Sequence, residues 1–288
     1  MIWIREPSGC AAEIDPSCGG TVHRITLPED VLYTPERSRG CETDLFAGRV
    51  LLPFADRIPR GRYRWRGTDY VLPLNDVEHG DAIHGFLYRQ EMRVVQRGSD
   101  HLTLRCDCHG ETGYPWPLSI TVSYRITPGT FLMHVETRNR GTSCAPLTVG
   151  WHPYFDFDRT ATLQMCASHY IEADEQLRLT GRRPSVDGTA FDFRRTRVIG
   201  EDPLDVALEV TNPAENPVVI SDTRRTVTMT LGGLFRRIQV FTPPGDRGIA
   251  VEPVSAPGEA FNDPELGVTE LEPGDSAAGS VLIRSESR

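Results

Sequence analysis

Lysine is missing from this chain of 288 residues: all 31 basic residues are arginine. That excludes chemistry needing a lysine amine, from Schiff-base catalysis to the phosphate-binding lysine of a P-loop. Positive charge is short overall, with 40 acidic residues and a formal net charge of −9. Non-specific nucleic-acid binding needs a basic surface, so no nucleic-acid partner is expected. No apolar stretch approaches the roughly 20 residues of a membrane-crossing helix, and no membrane partner is expected. Met1-Ile2-Trp3-Ile4-Arg5-Glu6-Pro7 lacks a basic segment followed by an apolar run, so it does not read as a signal peptide. Helical signal is scarce too: no window of a dozen residues sustains a 3.6 period. There is no GxGxxG opening a helix after a strand, no Gly-x-Ser-x-Gly elbow and no His-Glu-x-x-His.

The seven cysteines are an odd number and cannot all pair internally. Cys106-Asp107-Cys108 is too tight for a zinc knuckle, although in a strand the two thiols share a face. The expectation is scattered reduced thiols in a cytoplasmic protein.

What the chain does have is short strand-like segments. Leu118-Ser119-Ile120-Thr121-Val122-Ser123-Tyr124-Arg125-Ile126 is apolar at every second position, stops at Thr127-Pro128-Gly129-Thr130, and Phe131–Thr137 runs back. Gly61–Arg66 and Tyr70–Leu72 flank a turn expected at Gly67-Thr68-Asp69. The same pattern recurs at His101–Cys106, Val218–Ile220, Thr226–Leu231 and Ile238–Thr242. Many short strands, 26 glycines and 22 prolines argue for an all-β sandwich or barrel. Residues from about 180 to 200 are loop-like but bounded by strands, and no long linker appears. One domain over 1–288 is expected, because large all-β domains often run as single units.

The residues suited to chemistry are few. In Gly150-Trp151-His152-Pro153-Tyr154-Phe155 a histidine sits among rings, and the following proline holds it extended. Such a group gives and takes protons near neutral pH, and its rings suit a sugar face. A lone histidine is more often simply satisfied in a turn. His84, in Ile83-His84-Gly85-Phe86, has apolar neighbours and a glycine that permits close approach. His79, in the acidic stretch Asn75–Asp81 taken as flexible, reads as a solvated loop residue. Arg57 follows an apolar run, either reaching into a cleft or lying in a surface Asp56–Arg57 turn. Glu252 ends the apolar run Gly248–Val251 and is either paired or working, since burial would raise its pKa. Asp205 is a lone acid in an apolar run, a binding group or a strand-end acid. His84, His152 and Glu252 could also ligate zinc, but no spacing selects a metal. The arginine doublets 182–183, 194–195, 224–225 and 236–237 read mostly as solvated faces, with one able to bind a phosphate.

The ordered segments resemble the aldose 1-epimerase (mutarotase) family over nearly the whole chain. They run from Cys18-Gly19-Gly20, placed in an early strand, through Phe54–Gly61, Ile83–Phe86, Asn139-Arg140-Gly141 and Gly150–Phe155. Gly188–Arg194, Leu204-Asp205, Gln239–Thr242, Val251-Glu252-Pro253, Glu259–Asn262 and Leu271–Gly274 follow. The resemblance implies a large antiparallel β-sandwich, a monomer or homodimer, that interconverts the anomers of a free aldose such as galactose or glucose with no cofactor. It implies Glu252 as base toward the anomeric hydroxyl and His152 as acid toward the ring oxygen. His84, Arg57 and Asp205 would hold the sugar. This chain departs from the family pattern at Asp56, where asparagine is usual, at Leu208 in place of an aromatic residue, and at Leu179 in place of proline. Two alternatives accompany this reading: a hexose 6-phosphate substrate, and a sugar-binding protein of the same fold without catalysis.

Overall fold

Alternation builds the widest sheet. In Leu118–Thr127 and Thr130–Asn139 alternate side chains are buried, among them Leu118, Ile120, Val122 and Tyr124 facing Phe131, Met133 and Val135. The two strands pair antiparallel from Leu118↔Asn139 to Thr127↔Thr130. That register leaves only Pro128 and Gly129 to turn the chain, and Gly129 does so at φ 68°. The structure is a computed structural model and describes residues 1–27, 29–35, 40–41, 45–245 and 248–288.

Among these residues the wide sheet has nine strands, ordered Arg197–Val198, Thr162–Gln164, Val218–Ser221, Arg225–Gly233, Ser276–Ser287, Thr130–Asn139, Leu118–Thr127, His101–Cys108 and Arg93–Arg97. A second sheet runs Ala167–Ile171, Asp205–Val210, Arg237–Phe241, Ile249–Val254, Gly150–Trp151 and Val50–Leu51, with Tyr154–Phe155 also on Ile249–Val254. One apolar core joins them; Phe131 of the first sheet stacks on Trp151 of the second at 6.2 Å between ring centroids. The fold is therefore an all-β antiparallel sandwich. Helical geometry is confined, among the described residues, to short 3-10 turns, and no helix is long and apolar enough to cross a membrane.

Four local expectations need correction. The hairpin Arg62–Trp65/Thr68–Val71 turns at Arg66-Gly67, both at positive φ, so Thr68 and Asp69 already lie in the return strand. Cys18-Gly19-Gly20 is not strand: Pro16–Cys18 is a 3-10 turn and both glycines are left-handed. Cys18 forms a disulfide with Cys41, so not every thiol is free, although Cys10, Cys106, Cys108, Cys144 and Cys166 are. The stretch Asn75–Asp81 is anchored at both ends. Asn75 exchanges side-chain hydrogen bonds with the Ile83 backbone, while fully buried Asp81 accepts from Arg178 and from the Arg60 N–H.

Candidate functional site

A cleft of about 620 Å³ opens over the second sheet. Arg57, His84, His152, Asp205 and Glu252 all line it. They come from five separate segments, and pairing within and beside the sheet brings them together.

His152 occupies a break. The strand Gly150–Trp151 stops before it and Tyr154–Phe155 resumes after Pro153, which cannot donate to a ladder. Both pieces pair with Ile249–Val254, through Gly150↔Val254 and Tyr154↔Ala250, so Glu252 faces the gap. Main-chain bonds fix the histidine from behind: its N–H donates to the Arg49 carbonyl (2.9 Å) and its carbonyl accepts from Gly48 N–H (2.8 Å). Its Nε2 lies 3.4 Å from Glu252 Oε1, and both side chains are buried. Glu252 sits inside the strand Ile249–Val254, opposite Gln239, rather than at a strand end.

Burial pushes the Glu252 carboxyl well above its usual range; the Asp56 and Asp205 charges add to this and Arg57 opposes it. Burial pushes His152 down to about 3, against a backbone hydrogen bond and with Arg57. Burial thus disfavours the charged form of each partner and favours a neutral acid beside a neutral imidazole.

His84 is held in a left-handed conformation at φ 61°. Its Nδ1 accepts from Asp56 N–H (3.1 Å), and its own N–H donates to the Asp56 carbonyl (3.1 Å). Burial first, then the His152 and Arg57 charges, hold it well below the ordinary imidazole value. The neutral ring therefore carries its proton on Nε2. Edge-to-face contacts with Phe46 (4.6 Å) and His152 (5.3 Å) fix its plane. Gly85 is required behind it: a Cβ there would lie 2.0 Å from the Leu52 carbonyl oxygen.

Arg57 opens the short strand Arg57–Ile58, and its Nε donates to Asp76 Oδ2 at 2.8 Å. Burial lowers its pKa, but the surrounding Asp56, Asp76 and Asp205 carboxylates outweigh that and raise it. Asp205 begins the strand Asp205–Val210 and accepts from Gln239 Nε2 at 2.5 Å. Its side chain opens onto the cleft while protein crowds its inner side. That crowding, and then the Asp56 charge, pushes it above the usual carboxylate range, against Arg57 and Gln239.

Several lining residues were not legible beforehand. Gln239 faces Glu252 across two strands, a juxtaposition fixed only by register. Asp76 braces Arg57 and also contacts His79 Nδ1 at 2.9 Å, so His79 belongs to the cleft wall rather than to a solvated loop. Of the rings flanking His152, Trp151 and Phe155 point into the core; Tyr154, stacked on His152 at 5.1 Å, lines the cleft. Among the described residues, three potential metal-ligating atoms come within 4.8 Å at Cys144, Glu270 and Glu272, away from the cleft. Arg66 already pairs both of those carboxylates.

A family model described as aldose 1-epimerase matches residues 1–284. YihR of Escherichia coli K12, itself uncharacterized, is 30% identical over 224 residues, covering 75% of this chain and 71% of that protein. Human galactose mutarotase is 26% identical over 228 residues, covering 65% of this chain and 64% of that protein. The backbone matches the GalM/aldose epimerase homologue of Caenorhabditis elegans with a TM-score of 0.88 at 19% identity, over 99% and 98% of the two chains.

Proposed function

Because the chain belongs to the aldose 1-epimerase family, we propose that it interconverts the α and β anomers of a free aldose, acting as one domain over 1–288. The observation that carries this is the buried pair His152 Nε2–Glu252 Oε1, 3.4 Å apart in the cleft wall and close enough to pass a proton between them. Moving that proton from Glu252 to His152 yields carboxylate and imidazolium. Glu252 then takes the proton of the anomeric hydroxyl. The C1–O5 electron pair moves to O5, which receives the His152 proton, and the ring opens to the aldehyde. Rotation about C1–C2 presents the other carbonyl face, and the reverse transfers close the ring as the other anomer. One proton enters and one leaves, so no external acid or base is consumed. The His84 Nε2–H donates to the ring oxygen or a hydroxyl; Arg57 donates to hydroxyls and Asp205 accepts from them.

Geometry supports an uncharged aldose over a sugar phosphate. Among the described residues, Arg57 is the one arginine lining the cleft, beside Asp56, Asp76, Glu78 and Asp205. One arginine of each doublet is engaged elsewhere: Arg182 with Glu172, Arg194 with Asp187 and Asp192, Arg224 with Asp222, and Arg237 with Glu209. Retention of both proton-transfer groups supports catalysis over binding alone. The test is anomer exchange followed by NMR over galactose, glucose, xylose, arabinose and hexose 6-phosphates. Acceleration of one or more neutral sugars is expected; spontaneous rates across the panel would refute the proposal.

A further inference from the structure

Three segments of the site meet at Asp56. Its backbone N–H and carbonyl make the two 3.1 Å bonds to His84. Its carboxylate is divided between two further main-chain donors: Oδ1 accepts from Arg57 N–H at 2.8 Å and Oδ2 from Gly258 N–H at 3.0 Å. A bond from Glu259 N–H to the Arg57 carbonyl, 2.9 Å, staples the same two segments a second time. Gly258 lies four residues beyond the strand that carries Glu252. A Cβ on it would come within 2.8 Å of Asp56 Oδ2, so a larger residue there would push the carboxylate away from that N–H. Asp56 itself is left-handed at φ 60°, a conformation that aspartate tolerates better than most residues.

We infer that Asp56 is a positioning residue, which locks Arg57, His84 and the segment following the Glu252 strand into one frame around the cleft. This rests on the proposed anomer exchange. The chemistry of the side chain is specific. A carboxylate offers an acceptor oxygen to each N–H, whereas an amide has one acceptor oxygen and would turn its NH2 against the other donor. The same carboxylate adds a negative charge that opposes ionisation of Glu252 and Asp205.

Asp56→Asn and Gly258→Ala separate these two contributions. Each is expected to lower kcat/KM by roughly tenfold, the size of losing one hydrogen bond to a charged group, and chiefly through KM, since Arg57 and His84 hold the sugar. Only Asp56→Asn removes the charge. Its whole pH profile is therefore expected to slide to lower pH, because Asp205 ionises earlier and the Glu252–His152 pair loses its proton earlier. Gly258→Ala keeps the wild-type limbs. Wild-type kcat/KM together with wild-type limbs in Asp56→Asn would overturn the inference. If that variant does not fold, wild-type kcat/KM in folded Gly258→Ala would do so. A wild-type protein without anomer exchange would instead sink the functional reading. Sugar affinity by calorimetry then decides the positioning role, and affinity unchanged in Asp56→Asn overturns it.

Discussion

Glu252 and His152 carry opposite charges when ionised, yet burial disfavours the charged form of each. Two consequences belong to single residues. Glu252→Gln keeps the volume and hydrogen-bonding capacity but cannot accept the anomeric proton. Anomer exchange by polarimetry is expected to fall by about 10²–10⁴-fold, with sugar binding by calorimetry retained. The folded-state pKa of Glu252 lies above its unfolded value, so its contribution to stability is full below the unfolded pKa and is lost as pH rises through the folded one. Glu252→Gln abolishes that titration and should gain melting temperature over wild type as the pH is raised above the ordinary carboxylate range. An unchanged difference across pH would contradict this. An ionised Asp205 accepts from a hydroxyl more strongly than the protonated acid does, so its raised pKa is expected to place an acid limb of kcat/KM above the ordinary carboxylate range. In Asp205→Asn that limb should vanish and KM should rise. At this scale the five candidate residues were legible as types, because a histidine before proline or a carboxylate in an apolar run is conspicuous. Asp76, His79 and Gln239 were not, since nothing in their local sequence separates a cleft wall from a solvated surface.

Elements were legible where the period is two. Leu118–Thr127 and Thr130–Asn139 fall where their alternation puts them, because one face must be buried. Turns were read less well. Arg66-Gly67 takes the hairpin instead of Gly67–Asp69: both residues adopt the positive φ of a type I′ turn, which matches the twist of the flanking strands. The break at His152-Pro153 was visible as a proline; that it lies opposite Glu252 required the pairing of Ile249–Val254 with both flanking pieces. The His84 segment offers the sharpest test at this scale. Gly85→Ala places a methyl into the Leu52 carbonyl at a left-handed position. It should lower stability by about 1–3 kcal/mol in denaturant titration and raise KM through displacement of His84. A variant with wild-type stability and KM would show that the close approach is dispensable.

For the whole molecule, composition pointed to an all-β protein without lysine chemistry, and the sandwich agrees. The disulfide Cys18–Cys41 was unforeseen because a pairing depends on Cα atoms 5.1 Å apart, across 23 positions of sequence. The cross-link corrects the expectation that all the thiols are reduced, while the other five cysteines are free. Replacing both cysteines with serine should lower stability by about 2–4 kcal/mol in denaturant titration, and adding a reductant should do the same to the wild type. Reductant-insensitive stability would refute the cross-link. The sequence by itself determined which residues can move a proton or hold a hydroxyl, and that the chain alternates as strands, because both are properties of side chains and their near neighbours. The tertiary structure alone decided that Glu252 faces His152, that burial disfavours the charge on each, that Asp56 ties three segments together, and that the arginine doublets stay out of the cleft. Those depend on register and desolvation, which arise only when residues far apart in the chain exclude water together.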